Sequence, residues 1–109
     1  MEIKQEIKKS EAVKIFAEKN GEIVGRAYLY LIKNDLHTEP YGLLEDVFVS
    51  ENQRGKGTGT KLVQAVIEEA KKRKCYKLIA TSRKSREQVH QWYLKLGFED
   101  YGCEFRINF

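Results

Sequence analysis

From Gln53 to Thr60 the chain reads Gln-Arg-Gly-Lys-Gly-Thr-Gly-Thr, with Gly55, Gly57 and Gly59 at alternate positions. Glycines so spaced permit a sharp turn and remove the side chains that would keep an anion away from the backbone N–H groups. Val47-Phe48-Val49 stands just upstream in a β-prone run, and Leu62, Val63, Val66, Ile67 and Ala70 recur downstream at the spacing of one helical face. That spacing predicts a helix over about Thr58–Lys74. A strand leading through a glycine loop into a helix N-terminus is an arrangement suited to phosphate, because free N–H groups and the helix dipole point the same way.

The rest of the chain organises around this unit. Ala12–Glu18 and Ile23–Lys33 flank Asn20-Gly21, a dipeptide that tolerates positive φ at both positions, so two antiparallel strands joined by a hairpin are expected. Ile3–Lys8 alternates only weakly and suits a short edge strand or a frayed end equally well. Asn34–Tyr41, which holds the only proline, is the longest loop, and Gly42–Ser50 follows as a strand interrupted by Glu45 and Asp46. Tyr76–Thr81 gives another strand. Ser85 with Gln88 has the spacing of a capping box, ahead of Val89, Trp92, Tyr93 and Leu96 on one helical face, with Gly97 as the stop. Cys103, Phe105, Ile107 and Phe109 alternate with polar residues and predict a final half-buried strand.

The 109 residues suit one domain spanning 1–109, with a modest core. No run approaches the roughly 18 apolar residues of a membrane span, and the N-terminus has no apolar leader, which places the chain in the cytoplasm. Cys75 and Cys103 make neither a disulfide framework nor a metal-ligand spacing, so both are expected reduced and structural, and no metal is expected. A net charge of +4 suits an anionic ligand. The run Lys71-Lys72-Arg73-Lys74 reads better as a solvated helix end than as a nucleic-acid patch, since no interleaved aromatics accompany it.

The glycine loop fails two familiar phosphate motifs. A Walker loop requires Ser or Thr directly after its Lys, whereas Lys61 is followed by Leu62. A dinucleotide fingerprint would need its third glycine at Thr60. What remains, Arg54-x-x-Gly57-x-Gly59, resembles the Arg/Gln-x-x-Gly-x-Gly/Ala pattern of the GNAT acetyltransferases. Downstream, Trp92-Tyr93-Leu94-Lys95-Leu96-Gly97-Phe98 resembles that superfamily's aromatic-Tyr-x-x-x-Gly-Phe helix end. The resemblance covers Gly42–Phe98 and implies an α+β fold: a GNAT-like mixed, mostly antiparallel sheet flanked by two main helices. The two helices that usually follow the first strand in that superfamily have no counterpart, and these normally wall the acceptor pocket.

The resemblance implies acetyl-CoA as cosubstrate and a primary amine as acceptor. Its pyrophosphate would meet the N–H groups of Arg54, Gly55, Lys56, Gly57, Thr58, Gly59 and Thr60, with Arg54 and Lys56 adding charge, although Lys56 suits solvent equally. Its pantetheine arm would pair with the main chain of Val47, Phe48 and Val49, whose side chains are expected in the core, and an N–H near Val47 would polarise the thioester carbonyl. Glu45 stands where polyamine-type relatives carry the general base, and strict alternation would put Glu45 and Asp46 on opposite faces. Tyr93 occupies the position of the acid that protonates the leaving thiolate; without the resemblance it reads as core. Arg86 replaces an asparagine found in many relatives and either reaches a CoA phosphate or faces solvent. His90 suits CoA contact or packing better than base chemistry, and Cys75 suits packing. The alternative is a non-catalytic CoA-binding module. The missing wall leaves room for a large acceptor or for a partner subunit, so a homodimer is an open reading.

Overall fold

The computed structural model describes residues 1–109. The elements are β1 (Glu11–Lys19), β2 (Glu22–Ile32), β3 (Tyr41–Val49), α1 (Thr58–Lys72), β4 (Leu78–Ala80) and α2 (Glu87–Lys95), with a 3-10 turn at Glu51–Gln53 before the glycine loop. Asn20 (φ 55°) and Gly21 (φ 81°) make the β1–β2 turn in the conformation their side chains allow. The sheet order is β1-β2-β3-β4, antiparallel through β3 and parallel between β3 and β4. A parallel pair needs a crossover, and α1 supplies it.

The core lies between the central strands and α1. Ala27, Leu29 and Leu31 of β2 and Leu44 of β3 are buried against Leu62, Val63, Val66 and Ala70 of α1. The period-2 face of two strands thus meets the apolar stripe of one helix. Gly42 is needed for close packing here: a Cβ on it would lie 2.8 Å from Leu29 Cδ1 and 2.9 Å from Leu78 Cδ1. At its C-terminal end α1 is tied to β1 by Arg73, which bonds Glu69 (2.9 Å) and Glu11 (3.2 Å). No helix is long and apolar enough to cross a membrane.

Of the two readings of Ile3–Lys8 the strand does not form: residues 1–10 are exposed and without secondary structure. Three expectations change. The strand expected over Tyr76–Thr81 shortens to Leu78–Ala80, because only those residues find partners, Gly42–Leu44. The Ser85 capping box does not form: α2 begins at Glu87, its N-cap is Arg86 with no side-chain cap, and Ser85 lies in the preceding turn closed by Arg86 N–H to Arg83 O. The alternating segment from Cys103 to Phe109 forms no strand and joins neither edge of the sheet, and its residues, Cys103 included, are exposed.

Candidate active site

β3 and β4 pair only from Gly42↔Leu78 to Leu44↔Ala80 and then part, which leaves Glu45–Val49 without a strand on that side. An unpaired strand edge presents a row of N–H and C=O groups to any extended amide chain. Arg54 Nε donates to Val49 O at 2.9 Å on this side, so the edge runs into the glycine loop.

A bulge shapes the middle of β3. Tyr28 pairs with Glu45 and Arg26 with Phe48, so the three residues of β2 from Arg26 to Tyr28 face four of β3, and Asp46 sits at φ 54°. Asp tolerates this left-handed conformation better than most residues. Before the bulge the buried positions are Gly42 and Leu44; after it the half-buried ones are Val47 and Val49. The expected alternation of the two acids therefore fails. Glu45 lies opposite Tyr28, while Asp46 accepts from Arg26 Nε (3.0 Å) and Nη2 (3.2 Å), and Arg26 and Tyr28 share a strand face. Both acids lie on the face turned away from α1.

Arg26 went unnoticed in the sequence, where its one signal is a cation inside the apolar run of β2. Its hydrogen bond holds the Asp46 carboxyl below the usual carboxylate range, and its own pKa rises for the same reason. The guanidinium also stands 4.9 Å from the Phe48 ring centroid, with that of Arg54 at 5.7 Å. Phe48 is therefore exposed rather than in the core, whereas Val47 and Val49 do pack against it.

In the glycine loop Gly55 (φ 77°) and Gly57 (φ 82°) are left-handed, and Gly57 is the N-cap of α1. A Cβ at either would meet nothing within 4 Å, so the backbone angle, not crowding, calls for glycine, and the space in front of the loop is open. Lys56 is exposed and makes no ion pair, while Thr58, Gly59 and Thr60 form the first turn of α1.

α2 closes over this loop. Trp92 Nε1 donates to Thr60 Oγ1 at 2.9 Å, a bond between helices that helical periodicity could not reveal. Tyr93 stacks on Trp92 and tilts against Phe98, each with centroids 5.2 Å apart. Burial raises the Tyr93 pKa, the Glu45 carboxylate raises it further and the Arg86 guanidinium lowers it. Glu45, Tyr93 and Arg86 are thus close enough for their charges to be felt. Arg86 stands exposed at the start of α2. His90 Nε2 donates to Arg83 O at 2.8 Å, which pins the loop before α2. Cys75 is partly buried, and desolvation raises its thiol pKa, as suits packing.

Known proteins share this fold. Residues 2–98 match the model of the Acetyltransferase (GNAT) family. A glucosamine 6-phosphate N-acetyltransferase of Trypanosoma brucei brucei is 33% identical over 97 residues, 87% of this chain and 64% of that protein. Glucosamine 6-phosphate N-acetyltransferase 1 of Oryza sativa subsp. japonica is 32% identical over 68 residues, 62% of this chain and 39% of that one. The chain therefore spans less than two thirds of the length of these relatives. The crystal structure of glucosamine-6-phosphate N-acetyltransferase from Arabidopsis thaliana superposes with a TM-score of 0.79 at 26% identity, covering 90% of this chain and 67% of that one. A Trypanosoma brucei acetyltransferase superposes at 0.78 and 30% identity, covering 90% and 69%. By the extent of the family match and the order of its strands, glycine loop and helices, the chain belongs to the GNAT acetyltransferase family.

Proposed function

We propose that this chain transfers the acetyl group of acetyl-CoA to a primary amine, and that the acceptor is a phosphorylated amino sugar such as glucosamine 6-phosphate. The observation that carries the reading is the open edge of β3 at Glu45–Val49 running into the glycine loop, with Tyr93 electrostatically coupled to Glu45 beside it. These residues fit acetyl-CoA, which supplies an activated acyl group as a thioester. The main chain of Val47, Phe48 and Val49 would take the amide-bearing arm. The N–H groups from Arg54 to Thr60, with the Arg54 and Lys56 cations, would take the pyrophosphate, and Arg86 is a further cation for a phosphate.

The amine must lose a proton to become a nucleophile, and Glu45, exposed beside the open edge, would accept it. The bulge at Asp46 breaks the alternation just before Val47, whose N–H would stabilise charge on the carbonyl oxygen. A C–N bond forms, the C–S bond breaks and the thiolate leaves. The Tyr93 hydroxyl is protonated at neutral pH, as any tyrosine of ordinary or raised pKa is, and would give that thiolate a proton. Asp46 is held by Arg26 and would support the bulge rather than act as base.

Two observations favour the acceptor: the trypanosome and plant relatives are glucosamine 6-phosphate N-acetyltransferases by name, and the net charge of +4 attracts a phosphorylated amine better than a polyamine. The test is a panel of glucosamine 6-phosphate, unphosphorylated glucosamine, polyamines and peptides, followed by CoA release and product mass. Fastest release with glucosamine 6-phosphate is expected. Equal rates with glucosamine would remove the phosphate from the reading, and CoA binding with no amine-stimulated release would make the chain a binding module.

A further inference from the structure

α1 covers one face of the sheet, and the opposite face lies open beside Glu45. Val13, Ile15 and Ala17 of β1 pack toward the core, so Lys14 and Phe16 point the other way. Ala27, Leu29 and Leu31 of β2 are likewise turned to α1, which puts Tyr28 and Tyr30 on the open face. These two rings stack with centroids 5.8 Å apart, and Phe16 and Tyr30 remain 47% and 39% exposed. Contiguous aromatic surface left in water marks a place where another molecule docks.

Lys14 pairs with Tyr28, and Tyr28 with Glu45, so a cation, an aromatic ring and a carboxylate stand in one row across three strands. With neighbouring strands about 4.8 Å apart, the two ends of the row are roughly 10 Å apart at the backbone, a span that a flexible lysine shortens. Arg26, on the same face, is already engaged, since Asp46 accepts from both its Nε and its Nη2. Lys14 takes part in no ion pair, and its Nζ lies 5.9 Å from the Phe16 ring centroid. Its charge nonetheless reaches the bulge: after the Arg26 hydrogen bond, Lys14 adds to what holds the Asp46 carboxyl low. We infer, resting on the phosphorylated amino sugar proposed above as acceptor, that Lys14 is the residue that recognises its phosphate. The amine lies at Glu45, the apolar C–H side of the sugar ring covers Tyr28, and the phosphate meets the Lys14 ammonium at the other end of the row. A free cation on this face attracts that anion, whereas a neutral sugar gains nothing from it.

The test compares glucosamine 6-phosphate with unphosphorylated glucosamine in the wild type, Lys14→Met, Lys14→Arg and Lys72→Met. Lys14→Met should raise KM for glucosamine 6-phosphate by roughly ten- to a hundredfold, the worth of one charge-assisted hydrogen bond, with kcat moved far less. Its preference for the phosphorylated sugar should fall by the same factor, and Lys14→Arg should restore most of it. Lys72→Met removes an equal charge at the C-terminal end of α1, where the side chain is exposed, and should leave the preference intact. A wild-type enzyme indifferent to the phosphate, or inactive on both sugars, would overturn the acceptor and the role of Lys14 together. A wild-type preference that survives in Lys14→Met, or that Lys72→Met weakens equally, would overturn the role of Lys14 alone.

Discussion

The indole Nε1 of Trp92 donates to Thr60 Oγ1 at 2.9 Å across 32 positions of sequence, and so fastens α2 to the first turn of α1. Tyr93, the next residue, is thereby held in a fixed relation to the glycine loop. Trp92→Phe and Thr60→Val should be coupled by about 1 kcal/mol, the usual net worth of such a bond, in a double-mutant cycle read by denaturant unfolding. Strictly additive effects would mean that the bond contributes nothing.

Gly57 is left-handed with open space beyond it, so Gly57→Ala should cost about 1–2 kcal/mol through the backbone alone. Gly57→Val should also lower CoA affinity by about tenfold or more, measured by calorimetry, because its side chain would stand before the loop's N–H groups. Unchanged affinity in the folded variant would refute the loop as the phosphate site.

Tyr93→Phe keeps the ring against Trp92 and Phe98 and removes a hydroxyl that bonds no protein atom. Thermal unfolding should barely move, while turnover should fall by roughly ten- to a thousandfold, the range for loss of one acid–base group. Normal turnover would take Tyr93 out of the chemistry.

The pKa of Tyr93 offers a test that needs no acceptor. Burial raises it first and the Glu45 carboxylate second, while Arg86 lowers it. Glu45→Gln should therefore bring the Tyr93 pKa down, and Arg86→Met should push it up, in a site-resolved NMR titration of the tyrosines. A raised folded-state pKa means that the folded protein holds this proton more tightly. The resulting stability is fully present below the ordinary tyrosine pKa of about 10 and is lost as pH rises through the raised value. Glu45→Gln should narrow that window. A Tyr93 titration indifferent to both substitutions would show that the three groups do not share a site.

Asp46 at φ 54° should accept Gly and resist Val, since a β-branched residue is strained in that region. Amide contacts between Tyr28 and Glu45 should persist in Asp46→Gly and be lost or shifted in Asp46→Val. Equal register in both would show that the bulge does not depend on this residue. The hydrogen bond from Arg26 lowers the Asp46 pKa, so any support from the pair is present above the ordinary aspartate pKa near 3.9 and fades as pH falls through the lowered value.

The sequence by itself determined what depends on near neighbours. Asn20-Gly21 set the hairpin, the spacing from Leu62 to Ala70 set α1, and Gly55 and Gly57 marked the loop, because turn angles and one-sided burial are written in consecutive residues. The tertiary structure decided what depends on pairing across the chain. The bulge at Asp46, which carries both acids to one face, exists because β3 must stay in register with Arg26 and Tyr28 of β2, and strict alternation along β3 cannot record a residue inserted against another strand. The bond from Trp92 to Thr60 joins helices whose separate periodicities are silent about each other. Alternation from Cys103 to Phe109 predicts a strand, yet alternation records only which residues could share a face, and the structure shows no strand there because the segment pairs with no other.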